Sequence, residues 1–369
     1  MSSIEERKEE HVRISLEGAP FSKGITTGFE EVFLVHEAIS DLDFDEIKIS
    51  STFEDKEIGC PLIISSMTGG FPGAKDINRN LAKAAEALKI PMGVGSTRAG
   101  LALASSTRET YSVVREAAPS TVIISNIGAQ QLREGGTQLA KEAVDLVKAD
   151  ALAIHLNKLQ EVVMPEGEPK MKGTKEKVMD VIEQLDVPCV AKETGCGISK
   201  EVAKELKAMG FRYIDIAGAG GTNFAVIETY RAMKRGLTDK VALGDLFSDW
   251  GIPTAISLIE TNSTGLKIVA SGGIKNGLDG AKAIALNADY VGIARPILEQ
   301  AVKGHEHVEK WILGYESQLR TAMFLTGARN LDALRKRPVI LTGKIGQWAM
   351  LRGFQPSALA QRGFTTSVH

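Results

Sequence analysis

Short apolar runs recur along the chain and alternate with segments in which apolar residues follow a three-to-four-residue spacing. The runs are nearly continuous in hydrophobicity and rich in Val and Ile, as is typical of parallel strands that are buried on both faces. The segments between them have the amphipathic pattern of helices that cover a sheet. The runs predict eight strands at 62–66, 92–96, 122–127, 152–156, 189–192, 213–217, 268–271 and 290–293. The clearest helices are predicted at 75–89, 134–148, 175–185, 200–209 and 278–285.

Eight strands that alternate with helices predict an α/β fold of the (β/α)8 TIM barrel type. The alternative is an open, doubly wound sheet, which we disfavour because no dinucleotide-binding fingerprint follows the first strand. We expect residues 61–300 to form the barrel. Residues 1–60 would form an N-terminal extension that packs on the barrel and covers the active site, and 301–369 a C-terminal helical extension. Long loops after strands four and six, at 158–174 and 223–266, are expected to be functional.

Composition narrows the range of functions. The net charge of −2 gives no bulk attraction to nucleic acid. No apolar run approaches the length of a membrane span, and the charged N-terminus does not resemble a secretory signal. The three cysteines are few and odd in number, which fits a reducing cytoplasm and argues against a disulfide framework.

The most concentrated polar cluster is His155-Leu156-Asn157-Lys158-Leu159-Gln160-Glu161, directly after the fourth strand. Packing of a hydrophobic core does not require these polar groups. A site that holds a metal-bound anion and orients a small substrate requires them. Barrel active sites lie at the carboxyl ends of the strands. The residues after the other strands should therefore converge on the same cavity, and they are Ser65, Ser66, Met67, Thr68, Ser96, Thr97, Arg98, Asn126, Lys192, Thr222, Gly272, Gly273, Ala294 and Arg295.

Two features indicate a phosphorylated flavin. Backbone amides at Gly272-Gly273 and at Ala294-Arg295 would form an anion site where barrels often bind phosphate, although the glycines could simply make turns. Lys192 is a cation at the end of an apolar strand, where it could stabilise an anionic reduced flavin. The alternative for Lys192 is an ion pair with Glu193 or another neighbour.

Three further groups have a functional and a plain interpretation. Arg7-Lys8, with His11 and Arg13, is either a solvated basic run or a segment that folds over an anion. Glu161 suits Mg²⁺ bridged to phosphates, or is a surface charge. Cys60, Cys189 and Cys196 are interpreted as buried fillers, because no base is paired with them in the sequence.

Taken in order, these motifs resemble the type 2, FMN-dependent isopentenyl-diphosphate isomerase family from Arg7 to about Gly346. The matching segments are Arg7-Lys8 with His11, Met67-Thr68-Gly69-Gly70, Gly95-Ser96-Thr97-Arg98, His155-Leu156-Asn157, Leu159-Gln160-Glu161, Pro165-Glu166-Gly167, Lys192-Glu193 with Gly195 and Gly197-Ile198-Ser199, Gly220-Gly221-Thr222-Asn223-Phe224, Asp249-Trp250-Gly251-Ile252-Pro253-Thr254 and Ser271-Gly272-Gly273-Ile274. Two positions depart from the family: Thr97 stands where a glutamine is common, and Lys158 where a proline is common.

The resemblance implies isomerisation of isopentenyl diphosphate to dimethylallyl diphosphate by a 1,3-allylic proton shift. It also implies reduced FMN, NADPH as reductant, Mg²⁺ held by Glu161, and a homotetramer or homo-octamer. The residues implied for FMN are Ser65, Ser66, Met67, Thr68, Ser96, Asn126, Lys192, Thr222, Gly272, Gly273, Ala294 and Arg295. Those implied for the substrate are Arg7, Lys8, Ser96, Thr97, Arg98, His155, Asn157 and Gln160.

The expected chemistry assigns the proton at carbon to flavin N5 rather than to a protein residue, since an unactivated alkene is poorly matched to side-chain acids. Gln160, His155 and Lys192 are the candidate catalytic side chains, with Gln160 orienting the alkene. The alternative enzyme is an FMN-dependent barrel oxidoreductase of the 2-hydroxy acid or inosine-phosphate type, for which Cys196 is the sole candidate catalytic cysteine. A flavin- or phosphate-binding barrel without activity is less compatible with the cluster at 155–161.

Overall fold

A closed barrel of eight parallel strands forms the centre of the structure, a computed structural model that describes residues 3–17, 24–103 and 105–363. The strands of the described chain are β1 (Val32–Leu34), β2 (Ser51–Phe53), β3 (Lys56–Ile58), β4 (Leu62–Ile64), β5 (Met92–Gly93), β6 (Ile123–Gly128), β7 (Ala151–Leu156), β8 (Cys189–Glu193), β9 (Tyr213–Asp215), β10 (Lys267–Ala270), β11 (Tyr290–Ile293) and β12 (Val339–Leu341). Strands β4 to β11 close the barrel in chain order, with β11 paired to β4. The predicted TIM barrel is confirmed and the open sheet is wrong.

Each of the eight predicted strands corresponds to a barrel strand, but several end earlier than predicted. Strand β5 stops at Gly93, and the amide of Gly95 donates 2.8 Å to the carbonyl of Thr68 in a neighbouring loop. The backbone after β5 therefore bonds in part to a connecting loop, although the amide of Val94 still donates 3.0 Å to Ile124 on the neighbouring strand. This leaves the polar residues that follow the strands at the rim of the barrel.

Helices surround the barrel and extend beyond it at both ends. They are α1 (Ser3–Glu17), α2 (Ala74–Leu88), α3 (Arg98–Ala102), α4 (Ser105–Ala117), α5 (Ala129–Val147), α6 (Lys158–Val163), α7 (Thr174–Gln184), α8 (Lys200–Ala208), α9 (Phe224–Lys234), α10 (Thr238–Leu246), α11 (Thr254–Thr261), α12 (Gly277–Ala285), α13 (Arg295–Ala301), α14 (His305–Phe324), α15 (Leu331–Arg335), α16 (Gly343–Leu351) and α17 (Pro356–Ala360). All five predicted helices are present. The segment at 158–174, predicted as a loop, instead begins with helix α6, and 223–266 contains helices α9 to α11.

The N-terminal extension divides between the two ends of the barrel. Helix α1 packs against α9 and α13 at the carboxyl ends of the strands. The hairpin β2–β3 lies at the opposite end, where the Phe53 ring stacks on Tyr213 at 4.8 Å and contacts Tyr290 at 5.5 Å between ring centroids. Phe53 is 1% exposed, and burial of such a ring contributes about 1.5–3 kcal/mol. Within the described part of 1–60, the residues that line the cavity at the carboxyl ends lie on α1, and coverage of the active site by the extension stays a prediction.

The two extensions also contact each other. Strand β1 pairs antiparallel with β12, so residues near the start of the chain share a sheet with the C-terminal part. The stretches 1–2, 18–23 and 364–369 of the predicted extensions lie outside the described residues. In the described part of the chain, no helix combines the length and apolarity needed to cross a membrane.

Candidate active site

A cavity of about 580 Å³ opens at the carboxyl ends of the barrel strands. Its walls come from the residues after the strands, from helix α1 and from the segment that follows β7. The predicted cofactor residues that line it are Ser65, Ser66, Met67, Thr68, Ser96, Asn126, Lys192, Thr222, Gly272, Gly273, Ala294 and Arg295. The other predicted site residues that line it are Arg7, Lys8, Arg98, His155, Asn157, Gln160 and Glu161. The sequence therefore placed these residues in one cavity correctly, and their individual roles stay predictions.

Thr97 is the exception among the predicted substrate residues. Its side chain is fully buried, and its hydroxyl donates 2.9 Å to the main-chain carbonyl of Asn126. Thr97 does not line the cavity, unlike the other predicted substrate residues, and its role in substrate binding stays a prediction.

One side of the cavity carries positive charge without matching carboxylates. Lys8 Nζ donates 3.2 Å to the carbonyl of Ser96, and Arg7 Nη1 lies 3.6 Å from Met164 Sδ. Within residues 3–17, 24–103 and 105–363, no carboxylate forms an ion pair with Arg7, Lys8 or Arg98. Burial, together with the nearby charges of Arg7 and Arg98, lowers the pKa of Lys8 to about 7. A bound polyanion would relieve this repulsion.

His155 is neutral in this setting. Burial lowers the pKa of its imidazole to about 3, and the charges of Lys8, Lys192 and Arg7 act in the same direction. Its Nδ1 lies 2.8 Å from Asn126 Oδ1. Because that oxygen can only accept, the hydrogen-bond network assigns the proton to Nδ1 and leaves Nε2 as an acceptor. An anionic ligand would raise this pKa by favouring the imidazolium form.

Lys192 has an acidic partner, as the alternative interpretation of the sequence proposed. Its Nζ donates 2.6 Å to Asp215 Oδ2 on the adjacent strand β9, where the two residues are in register. Ser271 donates to the other oxygen of Asp215. Glu193 is not the partner, because its carboxylate accepts the amides of the following residues, 194–196. Burial raises the pKa of Glu193 to about 7. Sequence reasoning missed Asp215, although it is the single carboxylate in an apolar run.

Gln160 is held by a buried carboxylate that the sequence did not indicate. Its Nε2 donates 2.9 Å to Glu228 Oε1, and His11 Nε2 lies 2.8 Å from the same oxygen. Arg231 donates 2.5 Å to the second oxygen of Glu228. Burial acts to raise the pKa of Glu228, but His11 and Arg231 outweigh it and bring that pKa to about 2. The basic N-terminal run is therefore part of the cavity and not a solvated tail.

The part of the cavity assigned to FMN fits a phosphorylated flavin in two respects. Ser65 Oγ is buried in the cavity wall and has no hydrogen-bond partner among the described residues. The loops at Gly221 and Gly273 approach so closely that a Cβ on Gly221 would lie 2.3 Å from the Gly273 amide nitrogen. Gly272 and Gly273 both have positive φ, 102° and 78°, which glycine adopts without strain. The exposed backbone and the unpaired hydroxyl suit a ligand with phosphate and ring polar groups.

The predicted metal residue, Glu161, is not part of a larger cluster of metal ligands among the described residues. No cluster of three or more His, Cys, Asp or Glu side chains in that part of the chain could hold a metal ion. Glu161 lines the cavity and accepts from Asn157 Nδ2 at 2.9 Å and from the amide of Glu168 at 3.1 Å. Mg²⁺ is commonly held by one carboxylate together with substrate phosphates and water. Glu161 is therefore compatible with a metal that the diphosphate also binds.

Comparison with known proteins agrees with this arrangement. Residues 155–341 match the FMN-dependent dehydrogenase family. The chain is similar in fold to mandelate oxidase, with a TM-score of 0.63 at 18% identity, covering 92% of this chain and 99% of that one. It is 46% identical over 360 residues to the isopentenyl-diphosphate delta-isomerase of Methanothermobacter thermautotrophicus, covering 97% of this chain and 99% of the relative.

A second relative, the isopentenyl-diphosphate delta-isomerase of Halobacterium salinarum, is 44% identical and covers 95% of this chain and 97% of its own length. Similarity at this level over nearly the whole length includes both the barrel and its extensions. The FMN-dependent dehydrogenase match distinguishes the flavin-dependent branch from isomerases that use metal alone. The chain therefore belongs to the type 2, FMN-dependent family of isopentenyl-diphosphate delta-isomerases.

Proposed function

We propose that the chain converts isopentenyl diphosphate to dimethylallyl diphosphate by a 1,3-allylic proton shift, using reduced FMN and a Mg²⁺ ion on the diphosphate. The observation that carries this proposal is the group Arg7, Lys8 and Arg98. These three cations face one cavity, and no described carboxylate pairs with them. Unpaired charge in a partly buried site is costly, so its presence indicates an anionic ligand.

The diphosphate would bind at this cationic end. Arg98 offers a planar fork that matches phosphate oxygens, and the ammonium of Lys8 adds a point charge. Asn157 donates to Glu161 at 2.9 Å, which orients that carboxylate for a shared Mg²⁺. His155 would gain a proton when the anion arrives and could then donate to it from Nε2. Ser96, which lines the cavity and whose carbonyl accepts from Lys8, would also take part in binding.

FMN would be held at the strand ends, with its phosphate at Gly272-Gly273 and Ala294-Arg295 and its ring edge near Lys192. Reduced FMN supplies a nitrogen that exchanges protons and an electron-rich face that favours developing positive charge. Lys192 is fixed by Asp215 at 2.6 Å, so its charge stays in place without reorganisation during the reaction. The remaining residues expected to contact the group are Ser65, Ser66, Met67, Thr68, Asn126 and Thr222.

Gln160 would orient the alkene rather than exchange a proton. An amide is neither a useful acid nor a useful base at neutral pH, but Glu228 fixes its rotamer through the 2.9 Å bond. Helix α1 covers the cavity with Arg7, Lys8 and His11, and so keeps water from a carbocation-like intermediate. The fixed amide and the excluded water both favour proton return over hydration.

The experiment is a reconstitution with FMN followed by anaerobic reduction. In D₂O, the reduced protein should interconvert the two C5 diphosphates and incorporate deuterium into the allylic product, as read by NMR. The oxidised protein is the matched control and should give no product. Saturable FMN binding without any isomerisation after reduction would refute the proposal.

The oxidoreductase alternative predicts that substrate reduces the flavin. A catalytic cysteine needs a thiolate, but burial and the nearby carboxylate of Glu193 raise the pKa of Cys196 to about 12. This disfavours the inosine-phosphate type. Anaerobic bleaching of oxidised flavin by lactate, mandelate or inosine monophosphate would support the alternative.

NADPH as reductant, a cytoplasmic location and a homotetramer or homo-octamer remain predictions from the family resemblance.

A further inference from the structure

One fully buried arginine joins three carboxylates from three separate segments. Arg231 Nε donates 2.9 Å to Glu10 on helix α1, and its Nη1 donates 2.5 Å to Glu228 on its own helix, α9. Its Nη2 and Nη1 donate 2.7 and 3.1 Å to the two oxygens of Glu166, in the turn after α6. The Arg231 side chain is 0% exposed and does not line the cavity.

Two of these segments carry the residues that would bind substrate. Helix α1 presents Arg7 and Lys8. The segment 157–168 presents Gln160 and Glu161, and it is internally tied because Glu161 accepts the amide of Glu168. Gly167 also fits against the carbonyl of Glu161, where a Cβ would lie 1.9 Å away. Glu166 lies within this tied segment, so a contact to Glu166 also restrains Gln160 and Glu161.

We propose that Arg231 is a positioning residue that couples the docking of helix α1 to the placement of the segment 157–168. The inference rests on the proposed function only in assigning substrate contacts to the two segments. Arg231 itself would touch neither substrate nor flavin. Its guanidinium holds Glu10 and Glu166 together from the buried side, because one planar group with several donors can hold both carboxylates at once. The more exposed Arg235 contacts the same two carboxylates from outside.

The coupling would help a diphosphate substrate to bind to both segments at once. The cations of α1 and the metal-binding carboxylate Glu161 must meet the same anion. If the two segments closed independently, either could bind the diphosphate while the other stayed open to water. A shared anchor makes partial closure costly, because a charge left without its partner inside the protein is strongly unfavourable.

The test is amide hydrogen exchange of the full-length protein, compared between wild type and Arg231→Met. We expect exchange in residues 3–17 and in residues 157–168 to rise together, each by at least about tenfold. In Glu10→Ala, which removes the direct contact of Arg231 with α1, exchange should rise in both segments. Glu166→Ala should behave in the same way from the other side. A rise confined to the segment that carries the substitution would overturn the coupling.

A second readout uses inorganic pyrophosphate as the probe. In the wild type, pyrophosphate should slow exchange in residues 3–17 and 157–168 together. In Arg231→Met it should protect them unequally, and the KM for isopentenyl diphosphate should rise by about tenfold or more. If Arg231→Met does not fold, Arg231→Lys keeps the charge and loses the planar fork, and it should still raise the KM. An unchanged KM with unchanged exchange in either variant would refute the proposal.

Arg352→Met is the matched control. Arg352 also joins carboxylates from different helices, with Nε 2.8 Å from Glu260 and Nη2 2.6 Å from Glu201, but it lies on the C-terminal extension away from the cavity. It should lower stability without changing the KM or the exchange at 3–17 and 157–168. Failure of the proposed activity would leave the exchange results standing, so the two hypotheses are tested separately.

Discussion

The close approach of two glycine loops at the predicted phosphate site leads to a sharp prediction for Gly221→Ala. A Cβ on Gly221 would lie 2.3 Å from the amide nitrogen of Gly273, 2.7 Å from its Cα and 2.9 Å from the carbonyl carbon of Gly272. Ordinary contacts of carbon with such atoms are about 3.5 Å, so one loop must move by about 1 Å. The neighbouring atoms are backbone, so no side-chain rotation can relieve the contact.

One of these two loops, at Gly272-Gly273, is the one expected to hold the FMN phosphate. Overpacking of this kind costs about 1–3 kcal/mol, which corresponds to an increase in the Kd for FMN of about 5-fold to 150-fold if the strain falls on the bound state. The assay is titration of the apoprotein with FMN, in which binding is measured from the quenching of flavin fluorescence. Thermal unfolding of the apoprotein measures the part of the cost that falls on folding.

Gly314→Ala is the matched control, because no atom lies within 4 Å of a Cβ built there and the site is in helix α14. It should leave FMN affinity unchanged and stabilise the fold by about 0.5–1 kcal/mol, since alanine is the better helix former. If Gly221→Ala binds FMN and melts as the wild type does, then the two glycine loops do not form the phosphate site.

Three further predictions concern charge in the cavity. The folded-state pKa of His155 is about 3, below the unfolded value near 6.5, so the free energy of unfolding should fall as the pH drops from about 6.5 towards 3. In chemical denaturation at pH 7 and pH 4, His155→Gln should lose less stability between the two pH values than the wild type does. An equal loss in both proteins would contradict the assignment. Lys192→Met leaves the carboxylate of Asp215, which is 8% exposed, without its cation and should lower the free energy of unfolding by about 3–5 kcal/mol. The double variant Lys192→Met with Asp215→Asn should recover most of that loss. An equal loss in the single and the double variant would show that the two residues are not coupled. Arg98→Ala should raise the Kd for pyrophosphate, measured by calorimetry, by about tenfold or more. Arg13→Ala is the control and should leave the Kd unchanged, because Arg13 pairs with Glu17 on α1. Equal effects of the two variants would mean that Arg98 acts only through the overall charge of the protein and not by contacting the anion.

The barrel could be predicted from the sequence because its determinants are local. Each strand is a short apolar run, and its end is marked by glycine or polar residues, as at Ser65 and Lys192. The closed ladder then brings all strand ends to one rim, so that the cavity follows from strand order alone. The acidic partner of Lys192 was missed, because Asp215 is recognised as its neighbour only once the pairing register of the two strands is known.

The arrangement around Arg231 could not be predicted in this way. Its partners Glu10 and Glu166 are 221 and 65 residues away in sequence. Nothing in the local pattern of α9 distinguishes a buried arginine from an exposed one, since both fit an amphipathic helix. Helix α1 was missed for a related reason, because its charged sequence gains its buried face only when the cavity is present to receive it.

The aromatic group at the far end of the barrel bears on the route by which ligands enter. Phe53 stacks on Tyr213 and contacts Tyr290, so these rings cover the amino-terminal ends of the strands. We therefore expect the flavin and the substrate to share the opening at the carboxyl ends, where α1 lines the cavity. Displacing the N-terminal helix should then speed the dissociation of FMN as well as of substrate.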